Sequence, residues 1–529
     1  MESKILKFWI LFFLLACVAL PILGRDVRMD LRPSCLADYP RETSSSLENP
    51  ETQEKKISES WMGIYMDGVK VGYSLHQEFS LIKNGQRYTK ELDESWMRVT
   101  RLGGNPVELA TTQESISDAQ GRPLECVLRI KMSESETVIR AEVSRDKIVF
   151  MSEDKVIKEM PYEEQFYFGI PLKKIIDENG LKSGKKFSFK ILDFATYSFV
   201  DTSFEVIGKE DVLILGQMMS LWHIKGQTDY IIPISSDEWI EEGGNSLKSV
   251  SKTSFMNLTS IRMSKNKAIE VSDENFDIAF STVIQSNVAF ENPQEVQGVT
   301  FKLSGISTER IKNLPFDDRS QRILELEKDY AVIQTFSQVF KETDAVLLPI
   351  TGKRFRDFLK STSFCQSDDT EIQKKAEEIV GEERNSWKAA KKIVYWVMRE
   401  FTPNYDVAFA DAKEILRNRE GDCSEHTVIT VALCRAAGIP ARAAVGVMYG
   451  RGIFAYHMWP EVYAGQWISL DPKWLAVDKK TGEYYTDATH IKFGHSLLDE
   501  NIFKEMAQAV AEVFGQLKLE IIDYYEDKE

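Results

Sequence analysis

Three residue types in one stretch of this 529-residue chain could together carry out acyl transfer through a thiol. Cys423 stands in Gly421-Asp422-Cys423-Ser424-Glu425-His426, His457 in Tyr456-His457-Met458-Trp459-Pro460-Glu461, and Asp471 in Leu470-Asp471-Pro472-Lys473-Trp474. A thiol offers a polarisable nucleophile, an imidazole takes and returns a proton near neutral pH, and a carboxylate fixes the imidazole tautomer and steadies its cation. Cys434, among alanine and leucine, reads as an ordinary packed cysteine.

These residues need elements to position them, and the local sequence supplies candidates. Asp422 suits an N-cap, and the apolar run from Val428 to Ala437, stopped by Gly438-Ile439-Pro440, predicts a buried helix with Cys423 in its first turn. There the backbone N–H groups and the helix dipole favour thiolate over thiol and can hold an oxyanion. Ile453 to Val462 and Gln466 to Leu470 read as strands joined by Tyr463-Ala464-Gly465. A three-residue loop ending in glycine pairs Val462 with Gln466 and sets His457 directly opposite Asp471 on one face. A loop one residue shorter would turn Asp471 to the other face.

The hexapeptide at Cys423, the run Ala437-Gly438-Ile439-Pro440-Ala441-Arg442, His457 with Trp459 and Glu461, and Asp471-Pro472 with Trp474 resemble the transglutaminase-like superfamily. The resemblance covers about residues 370–500. It implies a papain-like α+β core with a Cys-His-Asp triad: Cys423 as nucleophile, His457 as general base and acid, Asp471 as the orienting carboxylate. His426 lies one turn along the same helix and reads as packing rather than as the base. The tryptophan that completes the oxyanion site in animal members has no counterpart, since Trp387 and Trp396 fall on the preceding helix. No cofactor or metal is expected, and no Asp-x-Asp-x-Asp-Gly calcium loop occurs.

A net charge of −16, with no basic run, argues against a nucleic-acid partner, while 43% hydrophobic and 28% charged residues are ordinary globular composition. Lys4 and Lys7 followed by the apolar stretch Phe8 to Leu23 and then Gly24 have the layout of a secretory signal, or of an N-terminal membrane anchor, over residues 1–24. Either places the body of the protein outside the cytoplasm, as a periplasmic, envelope-anchored or extracellular protein. Cys35, Cys126, Cys365 and Cys434 are scattered, without the spacing of a disulfide framework or zinc site.

The expected fold class is α+β and multidomain. Residues 25–56 read as a linker; 57–285 as a large antiparallel β domain, a curved sheet or partly closed barrel with hairpin turns at Asp67-Gly68 and Asn84-Gly85. Its His76 and His223 look isolated. Residues 286–365 read as a small connector with β structure, 366–500 as the catalytic core, and 501–529 as a C-terminal helix with Phe503, Met506, Val510, Val513, Phe514 and Leu517 on one face. The chain is therefore expected to be a transglutaminase-like thiol acyltransferase or amidase acting on protein or peptide amides. A cysteine protease or deamidating hydrolase of the same fold is one alternative, and a non-enzymatic envelope scaffold is another.

Overall fold

The computed structural model describes residues 52–526 except 101–105, 133–134, 153–154, 163–164, 195, 231–232, 254–256, 271–275, 278–282, 313, 316–318, 405–409, 479–480, 500–501, 503–504 and 506–516. The leader and most of the linker, with Cys17 and Cys35, lie outside the described residues. So do Phe503, Met506, Val510, Val513 and Phe514. The chain is mostly β, with a large N-terminal β domain and a C-terminal region of mixed helices and strands.

The alternating patterns of the N-terminal half form one 15-stranded sheet from Thr52 to Met263. Its order is two meanders joined where the first strand, Thr52–Met66, pairs with the last, Asn257–Met263. The sole parallel pair in it joins Phe166–Tyr167 to Lys186–Asp193. Near opposite edges of the sheet, Phe150 meets Phe194 and Tyr197 edge-on at 5.8 and 4.9 Å. The sheet therefore curls, and its concave face buries apolar side chains that would otherwise cost about 25 cal/mol per Å² in water. His76 and His223 are not isolated: each faces a cross-strand carboxylate, Asp93 at 2.9 Å and Asp237 at 2.7 Å. Neighbouring strands supplied partners that linear spacing hides.

A four-stranded sheet follows, ordered Gln321–Leu326, Tyr330–Phe336, Val296–Ser304 and Lys518–Glu526. Its last member corrects the expected C-terminal helix over residues 518–526. Leu519 and Ile521 alternate with exposed Lys518, Glu520 and Ile522, a period of two that suits a strand. This layer packs on the sheet that carries His457 through Phe301 and Phe454, whose rings meet edge-on at 5.5 Å.

The C-terminal sheet runs Ile284–Gln285, Ile453–Tyr463, Ala441–Gly450 and His490–Ser496, with Trp467–Ser469 on the far part of the Ile453–Tyr463 strand. Helix Cys423–Ala436 stands against it, and helices Thr370–Val380, Ser386–Glu400 and Ala412–Asn418 pack on that helix. From Cys423 to Arg435 every residue is buried, so this helix is apolar all round, as a central core helix must be. Gly438, at φ +78°, ends it where an L side chain would be strained.

Candidate active site

The Cys423 helix starts on a reciprocal cap. The Asp422 carboxylate accepts from Ser424 N–H at 2.7 Å, and Glu425 accepts from Asp422 N–H at 2.8 Å. Gly421 has φ +153°, and a Cβ there would stand 2.3 Å from Glu425 Cβ. The Gly-Asp-Cys-x-Glu spelling is thus a steric and hydrogen-bonding requirement of this helix start. His426 donates from Nδ1 to the Asp422 carbonyl at 2.6 Å and packs on Phe401, which ties it to its own helix. Burial and the nearby Lys473 lower its pKa to about 4.

The helix meets the His457 strand at a stretch of edge that is unpaired among the described residues. Ile284–Gln285 pairs with Ile453 and Phe454, Trp467–Ser469 pairs with Glu461 to Tyr463, and Ala455 to Trp459 lie between. Into that gap Met458 turns both backbone groups. Its carbonyl accepts from Thr427 Oγ1 at 3.1 Å, and its N–H donates to the Cys423 sulfur. Cys423 is thereby held by the residue next to His457.

His457 donates from Nε2 to Asp471 Oδ2 at 2.6 Å and stacks on Trp459, ring centroids 5.8 Å apart at 16°. Its Nδ1 is buried without a hydrogen-bond partner among the described residues. Cys423, His457 and Asp471 are each 1% exposed. The pairing of His457 with Asp471 is as expected, but the hairpin register is not. Val462 faces Ile468 and Glu461 faces Ser469, so the loop is Ala464–Gln466 rather than Tyr463–Gly465. The turn is docked on the connector: Val346 N–H donates to the Ala464 carbonyl at 2.9 Å, and the Asp344 carbonyl would stand 2.9 Å from a Cβ at Gly465. The slip is two residues, an even number, so Asp471 keeps its face and reaches His457 diagonally from just beyond the strand.

Electrostatics correct a second expectation. Burial, then Asp422, Glu425 and Asp471, raise the Cys423 pKa well above that of a free thiol, and the Met458 N–H offsets only part of this. The helix start holds the sulfur in place, but its own acidic cap opposes a standing thiolate. Asp471 is driven the other way: burial opposes ionisation, yet His457 and His490 hold its carboxyl far below the usual range. Lys473 is half-buried near Asp422, Cys423 and Asp471; desolvation lowers its pKa while Asp422 and Asp471 oppose the shift.

Two residues here have no local signature in the sequence. His490 lies 3.3 Å through Nε2 from Asp471 Oδ2 and 3.4 Å through Nδ1 from Asp487 Oδ1. Ligand atoms of His457, Asp471 and His490 fall within 4.8 Å of one another, the spacing of a metal site. Both imidazoles, however, direct Nε2 at one carboxylate oxygen, where the nitrogen carries a proton and has no lone pair for an ion. Farther along the sheet, Glu461 receives Arg442 at 2.7 Å, Lys492 at 2.5 Å and His495 at 3.0 Å. Burial opposes its ionisation, but His495 and Arg442 bring its pKa down to about 2. The connector holds this region from behind. Gln338 accepts from Ser469 N–H at 3.0 Å, and Gln321 makes both a donor and an acceptor contact with the Lys492 backbone at 2.8 and 3.0 Å. Trp387 donates to Glu483 at 3.0 Å, so its indole is engaged away from any oxyanion.

Residues 373–472, which contain Cys423, His457 and Asp471 and stop short of His490, match the family model of the transglutaminase-like superfamily. An uncharacterized protein of Haemophilus influenzae is 31% identical over 100 residues, 18% of this chain and 27% of that protein. The chain thus spans about a quarter of the length of that curated relative. A solved structure from Cytophaga hutchinsonii, provisionally named a cysteine protease, is 17% identical with a TM-score of 0.29, over 47% of this chain and 89% of its own. A beta-barrel-like protein with a domain of unknown function from Brucella abortus is 11% identical with a TM-score of 0.29, over 39% of this chain and 94% of its own. The family match gives a transglutaminase-like core at residues 373–472 and supports a cysteine-dependent enzyme.

Proposed function

We propose that the protein is an exported cysteine-dependent acyltransferase or amidase acting on protein or peptide amides, with Cys423, His457 and Asp471 as its triad. One arrangement carries this reading: His457 commits Nε2 to Asp471, keeps Nδ1 unpartnered, and adjoins the Met458 N–H that holds the Cys423 sulfur. The raised thiol pKa favours a neutral Cys423 at rest, so the proton moves during attack. Sulfur then bonds to the amide carbon as Cys423 Sγ–H passes its proton to His457 Nδ1. The carbonyl oxygen takes the electron pair and is stabilised by the Cys423 backbone N–H at the helix start. Collapse breaks the C–N bond, His457 returns the proton to the departing amine, and a Cys423 thioester remains. Attack on that thioester by an amine completes acyl transfer; attack by water completes hydrolysis and frees the thiol.

Mass spectrometry of peptides and envelope proteins treated with wild type and with Cys423→Ala tests the reading. New amide cross-links, deamidation or chain cleavage should appear with wild type alone, and their identity names the acceptor. Product sets that match between the two proteins would defeat the proposal. Export follows from the leader pattern, and fractionation that left the full chain in the cytoplasm would overturn that part.

A further inference from the structure

We propose that His490, backed by Asp487, is a positioning residue for the triad: it shares the Asp471 oxygen used by His457, fixes that carboxylate, and sets the pH range in which His457 exchanges a proton with Cys423. The inference rests on the triad reading above.

Every acceptor of Asp471 is spoken for in a way that points it at His457. Oδ1 accepts from Lys473 N–H at 2.8 Å, while Oδ2 accepts from His457 at 2.6 Å and His490 at 3.3 Å. A carboxylate bound at both oxygens cannot rotate away. His490 is in turn placed by its own surroundings. Asp487 is anchored by Thr489, whose N–H and Oγ1 donate to Oδ1 at 2.7 and 2.6 Å, and Thr335 Oγ1 donates to the Ala488 carbonyl. The next turn of the strand is clamped by Gln321 on Lys492. A histidine buried only for packing needs one acceptor, yet His490 is set between two carboxylates.

The charges around His490 can be named from each neighbouring element. The His457 strand presents His457 and Trp459, with ring centroids 5.7 and 5.2 Å away. The segment after Ser469 presents Asp471, with Lys473 close to it, and the residues before the His490 strand present Asp487. Across the sheet its partner is the uncharged Met448. Burial would lower the His490 pKa, but Asp487 and Asp471 outweigh it and raise the value to about 9. With His490 charged, the two carboxylates and this imidazolium leave one net negative charge. The proton that His457 accepts from Cys423 neutralises it. Without the His490 charge, His457 would face two negative charges and hold its proton too tightly to return it.

Iodoacetamide alkylation of Cys423 in the full chain, followed by mass spectrometry from pH 5 to 10, reads this directly without a substrate. His490→Gln keeps a donor for Asp471 but loses the charge. Its acid limb should move to higher pH by roughly half a unit to one unit. Asp487→Asn should move it the same way by less, and it serves if His490→Gln does not fold. A His490→Gln profile that superimposes on wild type, or moves to lower pH, overturns the inference. His457→Gln separates this from the underlying reading: if it too matches wild type, Cys423 and His457 are not coupled and the triad itself fails.

Discussion

The N-terminal sheet and the sheet that carries His457 each bury histidine–aspartate pairs, in different surroundings. His76–Asp93, His223–Asp237 and His457–Asp471 lie at 2.9, 2.7 and 2.6 Å, so distance does not set the last apart. What differs is the rest of each environment. His76 and His223 sit on strands paired on both sides at their positions, with Ser60 and Asp93 and with Gly208 and Trp239. His223 also turns its other nitrogen toward Glu210 at 3.6 Å. His457 stands where its strand is unpaired on one edge among the described residues, beside a helix start that brings in a thiol. His76 and Asp93 also line a cavity, and all three imidazoles are buried, so access does not separate the pairs; a buried imidazole–carboxylate pair becomes chemical equipment only where folding also sets a nucleophile beside it.

The contrast breaks most sharply under substitution. Cys423→Ala should abolish turnover and His457→Gln should lower it on the order of 10³-fold or more, whereas His76→Gln and His223→Gln should leave rates within about twofold. Rates measured on a peptide amide that wild type converts decide this, and a comparable loss at His76 would erase the distinction.

Next in size is stability. Glu461→Gln leaves Arg442, Lys492 and His495 facing a neutral group in the core and should cost about 3–5 kcal/mol, read by urea unfolding. Lys252→Met removes a half-exposed partner of Asp237 in the N-terminal sheet and should cost under about 1 kcal/mol. Equal losses would mean that the two sheets carry charge alike.

The pH dependence of thermal unfolding sharpens the comparison further. Glu461 has a folded pKa of about 2, below its ordinary 4.5, so its contribution is complete above that ordinary value and fades as pH falls toward 2. His490 is raised to about 9, so its contribution is complete below about 6.5, the ordinary histidine value, and is lost as pH rises through 9. Melting temperatures of wild type and His490→Gln should therefore converge on the alkaline side, and curves parallel from pH 6 to 10 would count against a charged His490.

The grouping of Cys423, His457 and Asp471 was legible because each sits in its own local spelling. Asp422 and Glu425 announce a helix start, and Gly438-Ile439-Pro440 announces its end. The His457–Asp471 pairing came through despite a wrong loop, because a two-residue slip preserves the face. A helix start also signals a lowered thiol pKa, but burial and the carboxylates gathered by folding reversed that. His490 and Asp487 were hidden for a different reason. Their partner Asp471 lies across an irregular stretch, and only His490, Lys492 and His495, set among Ile491 and Phe493 in one strand, hinted at buried charge. The strand Lys518–Glu526 was hidden because its partner Val296–Ser304 is remote in sequence and the preceding residues suggest a helix.

That remote pairing has a consequence for how the molecule comes into being. The entire segment from Cys423 to His490 is synthesised after Val296–Ser304 and before Lys518–Glu526. Until the later strand emerges, the connector layer whose Gln321 and Gln338 brace the catalytic region has an unpaired edge. Long-range closure of this kind is slow relative to local helix formation. The nascent chain therefore carries Cys423 well before it has the strand that completes the brace, and the proposed chemistry waits until Lys518–Glu526 has been made.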